Sequence, residues 1–118
     1  MIDYRKNEGG ILEISVTGRL TKEEIDAVWA RMKADMPAGG KVKVLEVIRD
    51  FEGMDLDAMW ENLRVGLPMA DRVGHIAIVT DRKWIAALTG LASAFMSAET
   101  RTYEPDQLAE ARAWLEAA

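Results

Sequence analysis

The sequence predicts an α/β fold: a five-stranded mixed sheet, first strand antiparallel and strands two to five mostly parallel, with four crossover or flanking helices. Two observations carry this reading. The chain opens with two alternating apolar runs joined by Asn7-Glu8-Gly9-Gly10, the pattern of an antiparallel hairpin. After them, short apolar runs alternate with segments of helical period, as parallel strands joined by crossover helices do. A chain of 118 residues has room for one core, so residues 1–118 are read as one domain.

Residues 2–6 alternate, Ile2 and Tyr4 against Asp3 and Arg5, and Gly9-Gly10 accepts the positive φ of a tight turn. Residues 11–17 follow as a second strand with Leu12, Ile14 and Val16 on its buried face. Thr21-x-x-Glu24 is a capping box; the helix behind it aligns Ile25, Val28, Trp29, Met32 and Met36 until Pro37, Gly39 and Gly40 stop it. Residues 42–48 are apolar on both faces except at Lys43 and Glu46, as a central parallel strand is. Residues 50–57 read as a loop. Asp57 is the expected N-cap of a helix burying Leu56, Met59, Trp60, Leu63 and Leu67 and weakening at Gly66 and Pro68. Residues 75–80 form a fourth strand that His75 terminates, and residues 99–103 a fifth. Pro105 suits the first turn of a last helix whose inward stripe is Leu108, Ala111 and Leu115, with Trp114 on its margin.

The segment from Trp84 to Ala98 carries no charge. At helical period Trp84, Leu88, Leu91 and Phe95 form a bulky stripe, expected to face the core, with Ile85 and Met96 beside it. The opposite side is small: Ala86, Thr89, Gly90, Ser93, Ala94 and Ser97, a face that something must cover. A helix of this length is roughly 22 Å long, short of the ~30 Å that a membrane span needs.

A net charge of −5 excludes the basic footprint of nucleic-acid binding and disfavours general attraction to anionic membranes. No cysteine is present and His75 is the one histidine, so thiol chemistry, cysteine metal sites, a zinc triad and a Ser-His-Asp arrangement have no support. There is no G-x-G-x-x-G or Walker pattern. No catalytic residue, metal or cofactor is therefore expected. The first ten residues lack the apolar stretch of a secretory signal, so the cytoplasm is the default expectation.

Two motifs stand out: Asp50-Phe51-Glu52-Gly53-Met54-Asp55-Leu56-Asp57-Ala58-Met59-Trp60, an aromatic-Gly-x-Asp turn into a Trp-bearing helix, and Thr80-Asp81-Arg82-Lys83-Trp84, a helix start after a strand. In these and in element order the chain resembles the SpoIIAA-like family of small bacterial proteins, relatives of the STAS domain of anti-sigma-factor antagonists. The resemblance implies helices wound around the sheet as a β/α superhelix. In the antagonist branch a kinase phosphorylates a serine at the start of the helix after the third strand. The matching positions here are Asp55-Leu56-Asp57, without a hydroxyl, so that switch is not expected. For the SpoIIAA-like branch the resemblance implies an apolar ligand or loose membrane association.

Ligands of open α/β sheets gather at the carboxyl ends of the strands. That edge collects Phe51, Met54, Met59 and Trp60 from one crossover and Trp84, Leu88 and Phe95 from the next: either an adaptable apolar ligand site or plain core. Arg82 and Lys83, behind Asp81, either hold an anion at the helix start or face water as a cap. Glu46 is either a buried acid of raised pKa or a carboxylate reaching solvent or a cation near the strand end. Asp55 and Asp57 read as compensation of a helix dipole. The expectation is a non-catalytic binding module for a hydrophobic small molecule or lipid, with peripheral contact to the inner membrane. The alternative is a protein-interaction module of STAS type without the phosphoserine switch. The row Ala86, Gly90, Ala94 would suit a homodimer through the 84–98 helix. Movement of the Trp84 helix relative to the Trp60 helix is expected to open the apolar region between them.

Overall fold

In a computed structural model of the chain, which describes residues 1–94 and 96–118, the hairpin forms from Ile2–Lys6 (β1) and Leu12–Leu20 (β2). Its turn is closed by the Asn7 side chain, which accepts from the Ile11 N–H at 3.0 Å, with Gly10 at φ 82°. The pairing Ile2↔Val16 to Lys6↔Leu12 is antiparallel. Three parallel strands follow, Val42–Met54 (β3), Val73–Thr80 (β4) and Glu99–Tyr103 (β5), in the spatial order β1-β2-β3-β4-β5.

Each crossover adds its strand on the same side of the last. Crossovers of one hand stepping in one direction keep their helices on one face. Accordingly Lys22–Asp35 (α1), Leu56–Met69 (α2) and Lys83–Ser93 (α3) share a face. The final helix, Leu108–Ala117 (α4), folds back over the other. Even-numbered residues of β3 (Val44, Glu46, Ile48) face α1 to α3; Leu45 and Val47 face α4. The main core joins Leu12, Ile14 and Val16 to Ile25, Val28 and Met32 of α1, and a second core packs Leu45, Ala77 and Val79 under Ala111 and Leu115 of α4.

The capping box of α1 is complete: Thr21 Oγ1 accepts from the Glu24 N–H at 3.3 Å and Glu24 accepts from the Thr21 N–H at 3.2 Å. Because it orients the helix that supplies Ile25, Val28 and Met32 to the main core, Thr21→Ala should cost about 1 kcal/mol. A thermal melt checks this; an unchanged midpoint would mean water replaces the cap.

Five expectations are corrected. Residues 50–54 are strand, because β3 continues in pairing with the end of β2 out to Leu20↔Met54. The N-cap of α2 is Asp55, not Asp57. His75 lies inside β4, where its Nε2 is 3.2 Å from Glu99 and its ring meets Trp114 edge-on. The uncharged helix α3 ends at Ser93; Phe95 lies outside the described residues.

The largest correction concerns orientation. In α2 the buried residues are Ala58 and Glu61, while Leu56 (77% exposed), Trp60 (73%) and Leu67 (69%) point outward, with Met59 and Leu63 about half exposed. In α3 the inward residues are Ile85, Ala86, Thr89 and Ser93, and Trp84, Leu88 and Leu91 are exposed. The side of α3 turned to β4 and β5 is therefore Ile85 with the small residues Ala86, Thr89 and Ser93, all part-buried, while Gly90 and Ala94 of the small row are exposed. Small side chains let the helix backbone approach the strands closely, which a bulky stripe would prevent.

Candidate functional site

The expected site is at the end of β3, and backbone irregularities build it. Thr17 pairs with Arg49 but Gly18 pairs with Phe51 and Arg19 with Gly53, so Asp50 and Glu52 are each left without a partner. These are β-bulges, which re-aim the side chains that follow. By alternation Phe51 would face α4; the bulge at Asp50 turns it to the α1 to α3 side instead. Asp50 takes the left-handed conformation at φ 51°, which Asp tolerates better than most residues, and Gly53 sits at φ 118°. Arg19 ties the overhang down: its Nε donates to Asp55 at 2.7 Å, and the Asp55 N–H donates to the Leu20 carbonyl.

Beneath this overhang is a cavity of about 480 Å³ between the sheet and the three helices. Its floor is Ile14, Val16, Glu46 and Ile48; one wall is Ile25, Val28, Trp29 and Met32 of α1; its rim is Phe51, Met54, Met59, Asn62, Trp84 and Ile85. Phe51 and Trp84 bridge the overhang to α3, with ring centroids 6.0 Å apart and planes tilted by 44°. The space exists because α2 packs chiefly on α1 and its bulky row is turned outward. Two contacts hold α2 there. Trp29 Nε1 donates to Asn62 Oδ1 at 3.0 Å, and Gly66 leaves room for the Trp29 ring, which a Cβ would meet at 3.1 Å. Gly66 is thus a packing position. On the outer side Glu61 accepts from Arg64 at 2.6 Å and lies 3.6 Å from Lys22; the Arg64 bond holds its carboxyl well below the usual range, at about 2.

Of the predicted site residues, Phe51, Met54, Met59 and Trp84 line the cavity. Trp60 and Leu88 do not; they sit on the outer faces of α2 and α3. Phe95 is outside the described residues. Sequence reasoning missed the α1 wall, which it assigned wholly to core, and the strand floor. Strand alternation was the available signal, since it places Glu46 on the same face as Ile48. Among the described residues Glu46 pairs with no cation. It is part-buried on the cavity floor, and burial alone pushes its carboxyl upward.

Arg82 and Lys83 line a separate cleft of about 600 Å³ at the carboxyl ends of β4 and β5. Asp81 and Glu104 share it, so its charges offset, and the Arg82 N–H already donates to Thr80 Oγ1 at 3.1 Å. Among the described residues no three His, Asp or Glu side chains are grouped to hold a metal ion.

A family model described as SpoIIAA-like matches residues 11–116, nearly the whole chain. The chain belongs to the SpoIIAA-like family. A solved structure of an uncharacterized protein from Shewanella loihica PV-4, of the DUF3478 family and with a SpoIIAA-like fold, superposes with a TM-score of 0.83. It is 20% identical, over 98% of this chain and 92% of that one, so what the SpoIIAA-like proteins share here is the fold. A search of curated proteins finds no match. Among the described residues, no helix of this SpoIIAA-like chain is long and apolar enough to cross a membrane.

Proposed function

We propose that this protein is a non-catalytic binding module that holds an apolar small molecule or lipid in the cavity under α1, α2 and α3. The observation that carries the reading is the cavity itself. Its volume lies in the range of small-molecule sites, and its lining is hydrocarbon and aromatic except at Glu46, Asn62 and the Gly53 backbone. Removing a guest's hydrocarbon from water supplies about 25 cal/mol per Å² of apolar surface buried. Among the described residues no arrangement of nucleophile, base and oxyanion donors accompanies the cavity, which supports binding over catalysis. Mass spectrometry of organic extracts from natively purified protein tests the proposal. A stoichiometric apolar compound supports it; clean extracts together with no binding of added hydrophobic probes would sink it.

The rim supports reversible rest on a membrane surface. Leu56, Trp60, Leu63 and Leu67 of α2 and Trp84, Leu88 and Leu91 of α3 form exposed apolar rows beside the cavity. Such rows bury favourably in the headgroup region. A Trp60→Ser/Leu88→Ser double variant should co-sediment with liposomes several-fold less than wild type. Its stability should change by no more than about 1 kcal/mol, since both side chains are exposed. Equal sedimentation of variant and wild type would remove the membrane reading. A concentration-dependent dimer lost in the same variant would favour the protein-interaction reading, with α2 and α3 covered by a second copy.

A further inference from the structure

We infer that Glu46 makes the cavity selective for amphiphiles bearing a basic nitrogen, an alkyl or aralkyl amine seated head-in with its ammonium against the Glu46 carboxylate. This rests on the cavity-binding reading and names the chemistry of its guest.

Glu46 sits mid-strand on the floor, with Ile14 and Ile78 as its sheet neighbours. It makes no hydrogen bond or ion pair among the described residues; burial is the one influence on its carboxyl. Among the described residues, those that β2, β4, α1, α2 and α3 turn toward it include no titratable or charged side chain. The other polar side chain in the lining, Asn62, already accepts from Trp29 with its Oδ1.

Three classes of guest then differ. A pure hydrocarbon leaves the carboxyl without a partner. A fatty acid places a second carboxylate beside the first with no Lys or Arg to neutralise either. An ammonium group supplies up to three donors and the compensating charge, forming a charge-assisted pair in a site of low polarity. The aromatic walls at Trp29, Phe51 and Trp84 accommodate a cation better than aliphatic ones. With the head on the floor, the hydrocarbon leads out past Met59 and Trp84 to the apolar rim.

The pair also fixes a proton balance. In the empty cavity burial favours the protonated Glu46 carboxyl. Binding an ammonium ion from water ionises it, and its proton leaves to solvent. Amine affinity therefore rises with pH through the Glu46 titration and levels off once the free protein is already ionised. Affinity for an alcohol of the same chain does not.

Isothermal titration with decylamine, 1-decanol and decanoate below their micellar concentrations tests this, from pH 6 to 8.5, in two buffers of different ionisation enthalpy. Wild type should bind decylamine about tenfold or more tighter than decanol, bind decanoate most weakly, and release a proton with the amine. Glu46→Gln and Glu46→Leu should each bring decylamine to the decanol level and abolish proton release. Gln is close to isosteric, so it decides the matter even if Leu disturbs the fold. Equal affinity for amine and alcohol in wild type, or an amine preference that survives both substitutions, overturns the inference and leaves cavity binding standing. Failure of all three probes to bind wild type takes the cavity reading down with it.

Discussion

Glu46→Leu is expected to stabilise the ligand-free protein by about 1 kcal/mol at pH 7, because it removes a part-buried carboxyl that has no partner among the described residues and extends the apolar floor. The gain should appear as a higher urea midpoint at an unchanged slope. Its pH dependence carries a sign. In the unfolded chain Glu46 titrates at the ordinary value of 4.5, and in the folded protein burial raises it. Below 4.5 the carboxyl is protonated in both states and exerts no pH-dependent penalty. As pH rises above 4.5 the unfolded chain ionises first, so wild type loses stability until the pH passes the folded-state pKa. The advantage of the Leu variant should therefore widen with pH and then level. A gap that stays constant between pH 4 and 8 would mean that the carboxylate finds water or a cation and is not buried as described.

Glu13→Ala is expected to act in the opposite direction and to cost about 2–3 kcal/mol. Glu13 lies on the α4 face of the sheet and is buried, but it is fully engaged. Its carboxylate accepts from Arg5 at 3.0 and 3.2 Å, Asn7 at 3.1 Å and Arg112 of α4 at 3.2 Å. Burial pushes its pKa up, and those three partners outweigh burial and hold it below 4.5. The Arg5 and Arg112 side chains are 66% and 41% exposed, so water screens part of each pair and keeps the cost moderate. Arg112 Nε is buried with no partner among the described residues, and losing Glu13 would leave that guanidinium less satisfied still. The sign follows: the contribution is complete above 4.5 and is lost as pH falls through the depressed folded-state value. Urea midpoints at pH 7 and pH 3 check it. A deficit of the same size at both would show that packing, not charge, is what Glu13 contributes.

The two carboxylates lie on adjacent strands and on opposite faces of one sheet. On the α4 face the acid is paired by three side chains and helps lock the fold. On the α1 to α3 face the acid is left unpaired at the bottom of a cavity. Buried charges without partners weaken a protein, and strained or unsatisfied groups cluster where structure serves binding. The contrast between Glu13 and Glu46 therefore separates a structural site from a candidate ligand site within the same molecule.

What the sequence alone determined is what depends on local period and punctuation. The hairpin at Gly9-Gly10, the Thr21–Glu24 capping box, the strand–helix alternation and the inward stripe of α4 follow from residues near one another in the chain. Phe51, Met54, Met59 and Trp84 could be placed at the strand ends for the same reason. Three things were decided by tertiary structure. Residues 50–54, with Asp50, Glu52 and Gly53 among five, do not read as strand, and they become one because the end of β2 offers its hydrogen-bonding edge. The face of α3 could not be chosen from period, since beyond Lys83 no charge marks an outside; packing against β4 and β5 turned Ile85, Ala86, Thr89 and Ser93 inward. In α2 the bulky row reads as a core face. Ala58, Glu61 and Gly66 instead made the contact with α1, through Trp29 and the Lys22–Glu61–Arg64 cluster. Turning both bulky rows outward is what opens the cavity. Helix propensity and period say that a side exists; only packing against a particular neighbour says which side goes in.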